Sequence, residues 1–141
     1  MQVAQATEVR KNWSSFFDQV VHDKPQAVRR NRDTALFLSK THMEEILSQY
    51  RFTLEYEIEE DGYYSGGLKE IDICWSEPSL EELKQTIAKD LVEYAKTYMD
   101  NFALYHNAPN RRDHFPYVMH VLMKDNIQEV VELIDADWER T

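Results

Sequence analysis

Val3-Ala4-Gln5-Ala6-Thr7-Glu8-Val9-Arg10-Lys11-Asn12-Trp13 passes from strand to helix within a few residues, and this passage organises the first third of the chain. Val3 to Gln5 reads as a short strand. Thr7 is placed to cap the helix, its hydroxyl accepting a bond from a free first-turn amide, and Glu8 puts an anion at the positive end of the helix dipole. Val9, Trp13, Phe16, Phe17 and Val20 then recur at helical spacing and form one apolar face. Beyond Pro25, Ala27–Arg29 and Leu36–Leu38 read as two short strands, with Asn31 and Asp33 supplying the turn chemistry between them. Thr41-x-x-Glu44 has the form of a capping box ahead of Met43, Ile46, Leu47 and Tyr50. The expected module is strand, helix, hairpin, helix.

At Arg51 the apolar period changes to two. Phe52, Leu54, Tyr56 and Ile58 alternate with Thr53, Glu55, Glu57 and Glu59, as in a strand with one buried face. Asp61-Gly62 signals a hairpin, Gly66-Gly67 interrupts the next strand, and Ile71, Ile73 and Trp75 alternate as a third. Ser79-x-x-Glu82 opens the longest helix, whose stripe is Leu80, Leu83, Ile87, Leu91, Tyr94, Ala95, Tyr98 and Phe102. Two shorter helices are predicted, one from Pro116 and one from Asn126-x-x-Glu129 through Val130, Val131 and Ile134. The expected fold is α+β. Residues 1–50 form one module, and residues 51–141 form a second with a three-stranded antiparallel sheet, one long helix and two shorter ones.

Charge divides along the same line. Residues 1–50 carry seven basic and six acidic side chains; residues 51–141 carry nine basic and twenty acidic ones. The second part would be repelled by phosphate, whereas the first has local basic clusters and can meet it. No apolar run approaches the roughly 20 residues needed to cross a bilayer, and Met1 to Asn12 lacks the apolar core of a signal peptide. With Cys74 as the sole cysteine, a Cys-rich zinc site is excluded and a reducing cytoplasm is the expected compartment.

The run Val3 to Trp13 resembles the start of the Phd/YefM antitoxin family, where a short strand precedes Ser/Thr-Glu-x-Arg-x-Asn and a bulky apolar residue. Pro25 to Ser39 is similar to that family's hairpin, except that Arg32 stands where its turn commonly has glycine. The resemblance covers about residues 2–48 and implies a dimer, or a higher even oligomer, on a palindromic operator. It implies DNA contacts from Arg10 and Arg30. Thr7, at a helix start, and Lys11, Arg29 and Arg32, crowded near them, complete the expected DNA-binding set. Trp13, Phe16, Phe17 and Val20 are an apolar load that can be core, dimer interface or both.

Phe52 to Asp100 resembles the HicB-type antitoxin core, through the alternating strand, Glu60-Asp61-Gly62-Tyr63-Tyr64 and Ser79-Leu80-Glu81-Glu82-Leu83. It lacks that family's Pro- and Gly-containing loop before the helix. The resemblance implies toxin binding, by residues the sequence leaves unassigned. Asp61, Glu70, Asp72 and Glu77 invite a reading as a two-metal nuclease cluster, but alternation sets Asp72 on the solvent face. His114 and His120 are six apart, which does not suit an i, i+4 ligand pair. No catalytic residue, metal or cofactor is therefore expected. The sequence reads as an antitoxin that represses its own operon and neutralises a toxin of the RNA-cleaving kind. An orphan transcriptional regulator and, behind it, a metal-dependent nuclease are the alternatives.

Overall fold

A computed structural model describes residues 1–137, so the last four positions of the second module lie outside the described residues. The chain divides into two compact units, Met1–Ile46 and Leu47–Thr141.

In unit 1, β1 (Val3–Gln5) runs directly into α1 (Ala6–Lys11), followed by α2 (Trp13–His22), β2 (Gln26–Arg30), β3 (Asp33–Phe37) and most of α3 (Lys40–Leu47). The helix expected as one rod is two. Asn12 leaves helical geometry at φ −120°, ψ 38°, and its Nδ2 donates to the Glu8 carbonyl at 3.1 Å. The expected Thr7 cap is also corrected: Gln5 occupies the cap position without a side-chain bond, and Thr7 lies inside the first turn. At α3 the capping side chain is Ser39, whose Oγ accepts from His42 N at 3.0 Å, and not Thr41. β2 is the central strand of this sheet, parallel to β1 and antiparallel to β3. Val9, Phe16 and Val20 pack as a small core with Ala4 and Val28, so both helices cover the face that carries Val28.

Unit 2 contains β4 (Phe52–Ile58), β5 (Tyr64–Leu68), β6 (Cys74–Glu77), α4 (Leu80–Asp100), α5 (Phe102–Asn107), α6 (Phe115–Leu122), α7 (Ile127–Val131) and β7 (Ile134–Asp137). Its α+β character is the expected one, but the sheet is not three-stranded. It has four strands in the order β6-β5-β4-β7, and β7 lies parallel to β4. Ile134, expected as the end of a helix, instead pairs with Phe52. The third strand starts at Cys74, so Ile71 and Ile73 reach the core from the connection before it. Arg51 fastens the added strand, donating to both carboxylate oxygens of Asp135 at 2.9 Å and to the Glu132 carbonyl at 2.7 Å. Gly66 permits close strand approach, because a Cβ there would stand 2.7 Å from the Tyr56 Cβ.

The capping signals at α4 and α7 hold, but α4 ends at Asp100. Phe102 of the expected stripe therefore opens α5, and the described residues of the unit form three short α-helices where two were expected. Glu82 N donates to Ser79 Oγ at 3.1 Å while Ser79 Oγ donates to Glu82 Oε2 at 2.9 Å; Asn126 and Glu129 make the equivalent reciprocal pair. Leu83, Ile87, Ala88, Leu91, Ala95 and Tyr98 of α4 are buried in the main core with Phe52, Leu54, Val118 and Val130. No helix among the described residues is long and apolar enough to cross a membrane.

Two groups in unit 2 couple its stability to pH. Burial, aided by the nearby Arg111 charge, holds the His114 imidazole below its ordinary pKa. The Arg51 hydrogen bonds hold the Asp135 carboxyl below the usual range. His114 protonates more readily in the unfolded chain, so its contribution is complete above about pH 6.5 and declines as pH falls through the lowered folded value. Asp135 adds a second loss as pH falls below about 4. Urea melts between about pH 8 and pH 5 should show declining stability, and His114→Gln should flatten that slope. An unaltered slope in the variant would assign the effect elsewhere.

Candidate nucleic-acid interface

The β1–α1 junction and the β2–β3 hairpin converge at one end of unit 1. Gln5, the last residue of β1, is the register partner of Arg29, so α1 begins beside the arginine end of β2. Arg30 pairs with Asp33 to close the hairpin around Asn31 and Arg32. Asn31 alone of these two takes a positive φ, 58°. Asparagine tolerates that region better than most side chains, and Arg32, at negative φ, does not need to be glycine.

Strand alternation then sorts the arginines. Arg30 shares the face of Val28, the face covered by α1 and α2, whereas Arg29 points to the other side with Ala27. Arg10 and Lys11 sit on exposed positions of α1, whose Val9 is the inward residue. Arg10 and Arg30 are thus on the same side of the sheet, Arg29 is opposite, and Arg32 is at the tip. Thr7, Arg10, Lys11, Arg29, Arg30 and Arg32 are all exposed. Among the described residues, none of the four arginines has a carboxylate within 4 Å, while Lys11 lies 3.9 Å from Glu8. A guanidinium carries five N–H donors in a rigid fork that matches phosphate or a guanine edge. This cluster has the donors free for such a contact.

The aromatic residues separate into two groups. Phe16 and Val20 are buried, but Trp13 and Phe17 remain 49% and 52% exposed. They form a patch with Phe37: Trp13 lies 5.9 Å from Phe17 and 6.3 Å from Phe37, centroid to centroid, and Phe16 lies 5.5 Å from Phe37. A hollow of about 230 Å³ opens between them, lined also by Val21 and Leu38. Every residue of β3 is exposed, Leu36 at 60%. Phe37 falls outside the site residues expected from sequence. Its register with Gln26, two positions from Val28, is what turns it toward the helices.

The four acids that invite a two-metal reading have separate surroundings in unit 2. Glu70 Oε1 accepts from Thr53 N at 2.7 Å, Glu77 Oε1 from Thr86 Oγ1 at 3.0 Å, and Asp61 Oδ1 from Tyr63 N at 2.9 Å; Asp72 is exposed. His114 and His120 likewise bond to Tyr94 Oη and the Tyr50 carbonyl, respectively.

The PHD-like family model, described as the antitoxin of RelE/RelB toxin–antitoxin systems, matches residues 1–136. The chain belongs to this antitoxin family. The antitoxin is also similar to a crystal structure from Syntrophomonas wolfei subsp. wolfei, described as an antitoxin part of a proposed toxin/antitoxin system. The two share 43% sequence identity and a TM-score of 0.92, over 99% of this chain and 100% of the other. No curated protein matches the antitoxin. As an antitoxin it has a cognate toxin for a partner, and it is a regulatory protein and not an enzyme, which removes the nuclease alternative.

Proposed function

We propose that this antitoxin is a Phd/YefM-type repressor of its own operon, with unit 1 as a dimeric DNA-binding module and unit 2 as the toxin-binding module. The observation that carries the reading is the grouping of Arg10 and Arg30 on one side of unit 1, each without a carboxylate partner among the described residues. Arg10 and Arg30 read base edges; Thr7, Lys11 and Arg32 hold phosphates; Arg29, on the opposite face, contributes least. Trp13, Phe17 and Phe37 join two protomers, since an aromatic patch on so small a unit gains most by burial against its own copy. The two-fold dimer then presents both arginine sets to a palindrome. In the cytoplasm, the acidic unit 2 captures a basic, RNA-cleaving toxin and denies RNA its surface. Toxin bridging of operator-bound dimers strengthens repression by avidity.

Promoter binding and sedimentation of the purified full chain test this reading together. The wild type should sediment as an even oligomer and bind its promoter with an affinity that falls steeply with salt, because phosphate contacts release counterions. Trp13→Ser with Phe17→Ser removes only exposed rings, so the fold should persist while the dimer dissociates. Loss of two aromatic anchors should weaken association by about 2–4 kcal/mol or more. A wild-type monomer indifferent to its promoter at low salt would overturn the proposal.

A further inference from the structure

Unit 2 contains a second organised polar site, centred on Arg111 in the connection between α5 and α6. Its backbone is fixed twice: Arg111 N donates to the Ala108 carbonyl at 2.9 Å, and its own carbonyl accepts from the buried Tyr98 hydroxyl at 2.8 Å. The side chain is fixed as well. Nη1 donates to the Tyr94 hydroxyl at 3.1 Å, and the guanidinium carbon lies 4.9 Å from the Tyr105 ring centroid and 5.6 Å from that of Tyr94. The Tyr94 hydroxyl is also hydrogen-bonded with His114 Nδ1, 2.6 Å away. Aromatic faces and hydrogen bonds therefore hold a cation in place before any ligand arrives. Among the described residues, one of its five N–H donors is used and no carboxylate lies within 4 Å.

Arg111 borders a cavity of about 460 Å³, a size that accommodates small molecules. Tyr94, His114, Asn110, Ile71 and Ile73 also line it, as do two carboxylates from other elements, Asp72 before β6 and Asp90 on α4. Asp90 Oδ2 accepts from Trp75 Nε1 at 2.8 Å and is thereby oriented. One cavity thus holds a positioned cation and two acids that do not neutralise it by direct contact. A simple anion such as phosphate would meet Arg111 and be repelled by the acids; a simple cation would meet the reverse. A molecule with both charges satisfies both ends, and the isoleucines accept its aliphatic part.

We propose that this cavity binds a free amino acid, its carboxylate on Arg111 and its ammonium group toward Asp72 and Asp90. The inference is independent of DNA binding and dimerisation. Titration calorimetry of the full chain with the common amino acids, and with acetate and methylammonium as single-charge probes, tests it. At least one amino acid should bind with a Kd of about a millimolar or tighter. Acetate and methylammonium should each bind at least about tenfold more weakly, since each forgoes one charge-assisted contact. Arg111→Gln and Asp72→Asn should each weaken the amino acid by about tenfold or more; Asp72 is exposed, so its variant remains informative should Arg111→Gln fail to fold. Absence of binding by every amino acid, acetate binding as tightly as the best of them, or affinity unchanged in Asp72→Asn would each overturn the proposal.

Discussion

Arg30→Ala should weaken promoter binding by about 1–3 kcal/mol at each half-site, and each substitution in a two-fold complex acts at both. A total loss of about 2–6 kcal/mol is therefore expected, with relaxed discrimination at the base pairs concerned. Arg10→Ala should behave alike, because Arg10 is on the same side of unit 1. Lys11→Ala should lower affinity evenly across DNA sequences and reduce the salt slope by about one for each phosphate it no longer neutralises. Arg29→Ala serves as the comparison: its side chain leaves the opposite face of β2, so its effect should be the smallest of the four. Fluorescence anisotropy on a promoter fragment over a range of salt separates these outcomes. Unchanged affinity in both Arg10→Ala and Arg30→Ala would remove the assignment of the DNA-binding face.

The largest effect on stability is expected from Phe52→Ala. Phe52 is fully buried at the start of β4, packs its ring 5.5 Å from Tyr117 and donates its amide to the Leu133 carbonyl at 2.9 Å. Removing the ring leaves a cavity where β4, β7 and α6 meet, at a cost of about 3–5 kcal/mol. That is a large share of the roughly 5–15 kcal/mol holding a typical domain together. Ile58→Ala, at the exposed far end of the same strand, should change stability by no more than about 0.5 kcal/mol. Urea unfolding of the three proteins measures both. A Phe52→Ala loss near that of Ile58→Ala would mean that the β4–β7 junction contributes little to the core.

Local chemistry made much of this fold legible. The strand from Phe52 to Ile58, the reciprocal caps at Ser79 and Asn126 and the stripe of α4 as far as Tyr98 depend on neighbours in sequence and are present in the structure. Ile58, at the end of the expected buried face, is nevertheless exposed, and Phe102, expected in the stripe, opens α5. Features decided at long range were not legible. Ile134 lies four residues after Val130 and reads as the continuing face of a helix; only its pairing with Phe52 makes it a strand. Thr41 and Ser39 are both competent caps, and Ser39 is the one whose hydroxyl meets a first-turn amide. Helical periodicity does not register the break at Asn12, where the backbone leaves helical angles and the side chain bonds back to the Glu8 carbonyl. At the candidate DNA-binding site the residue types were evident, whereas their sidedness was not. Arg29 and Arg30 are adjacent in sequence, and the pleat of β2 sends them to opposite faces. The partition of the aromatic face, with Phe16 inside and Trp13 outside, likewise required the packing of Val9 and Val28 to be known.

The position of β7 gives the two units different timetables during synthesis. Every strand of the first sheet has been made once Phe37 has emerged from the ribosome, and α3 follows soon after. The second sheet must wait for Ile134 to Asp137, because β4 keeps one edge open until they arrive. A nascent chain arrested between these points would have its arginine hairpin assembled and its acidic unit unfinished, with a bare β4 edge available to other chains.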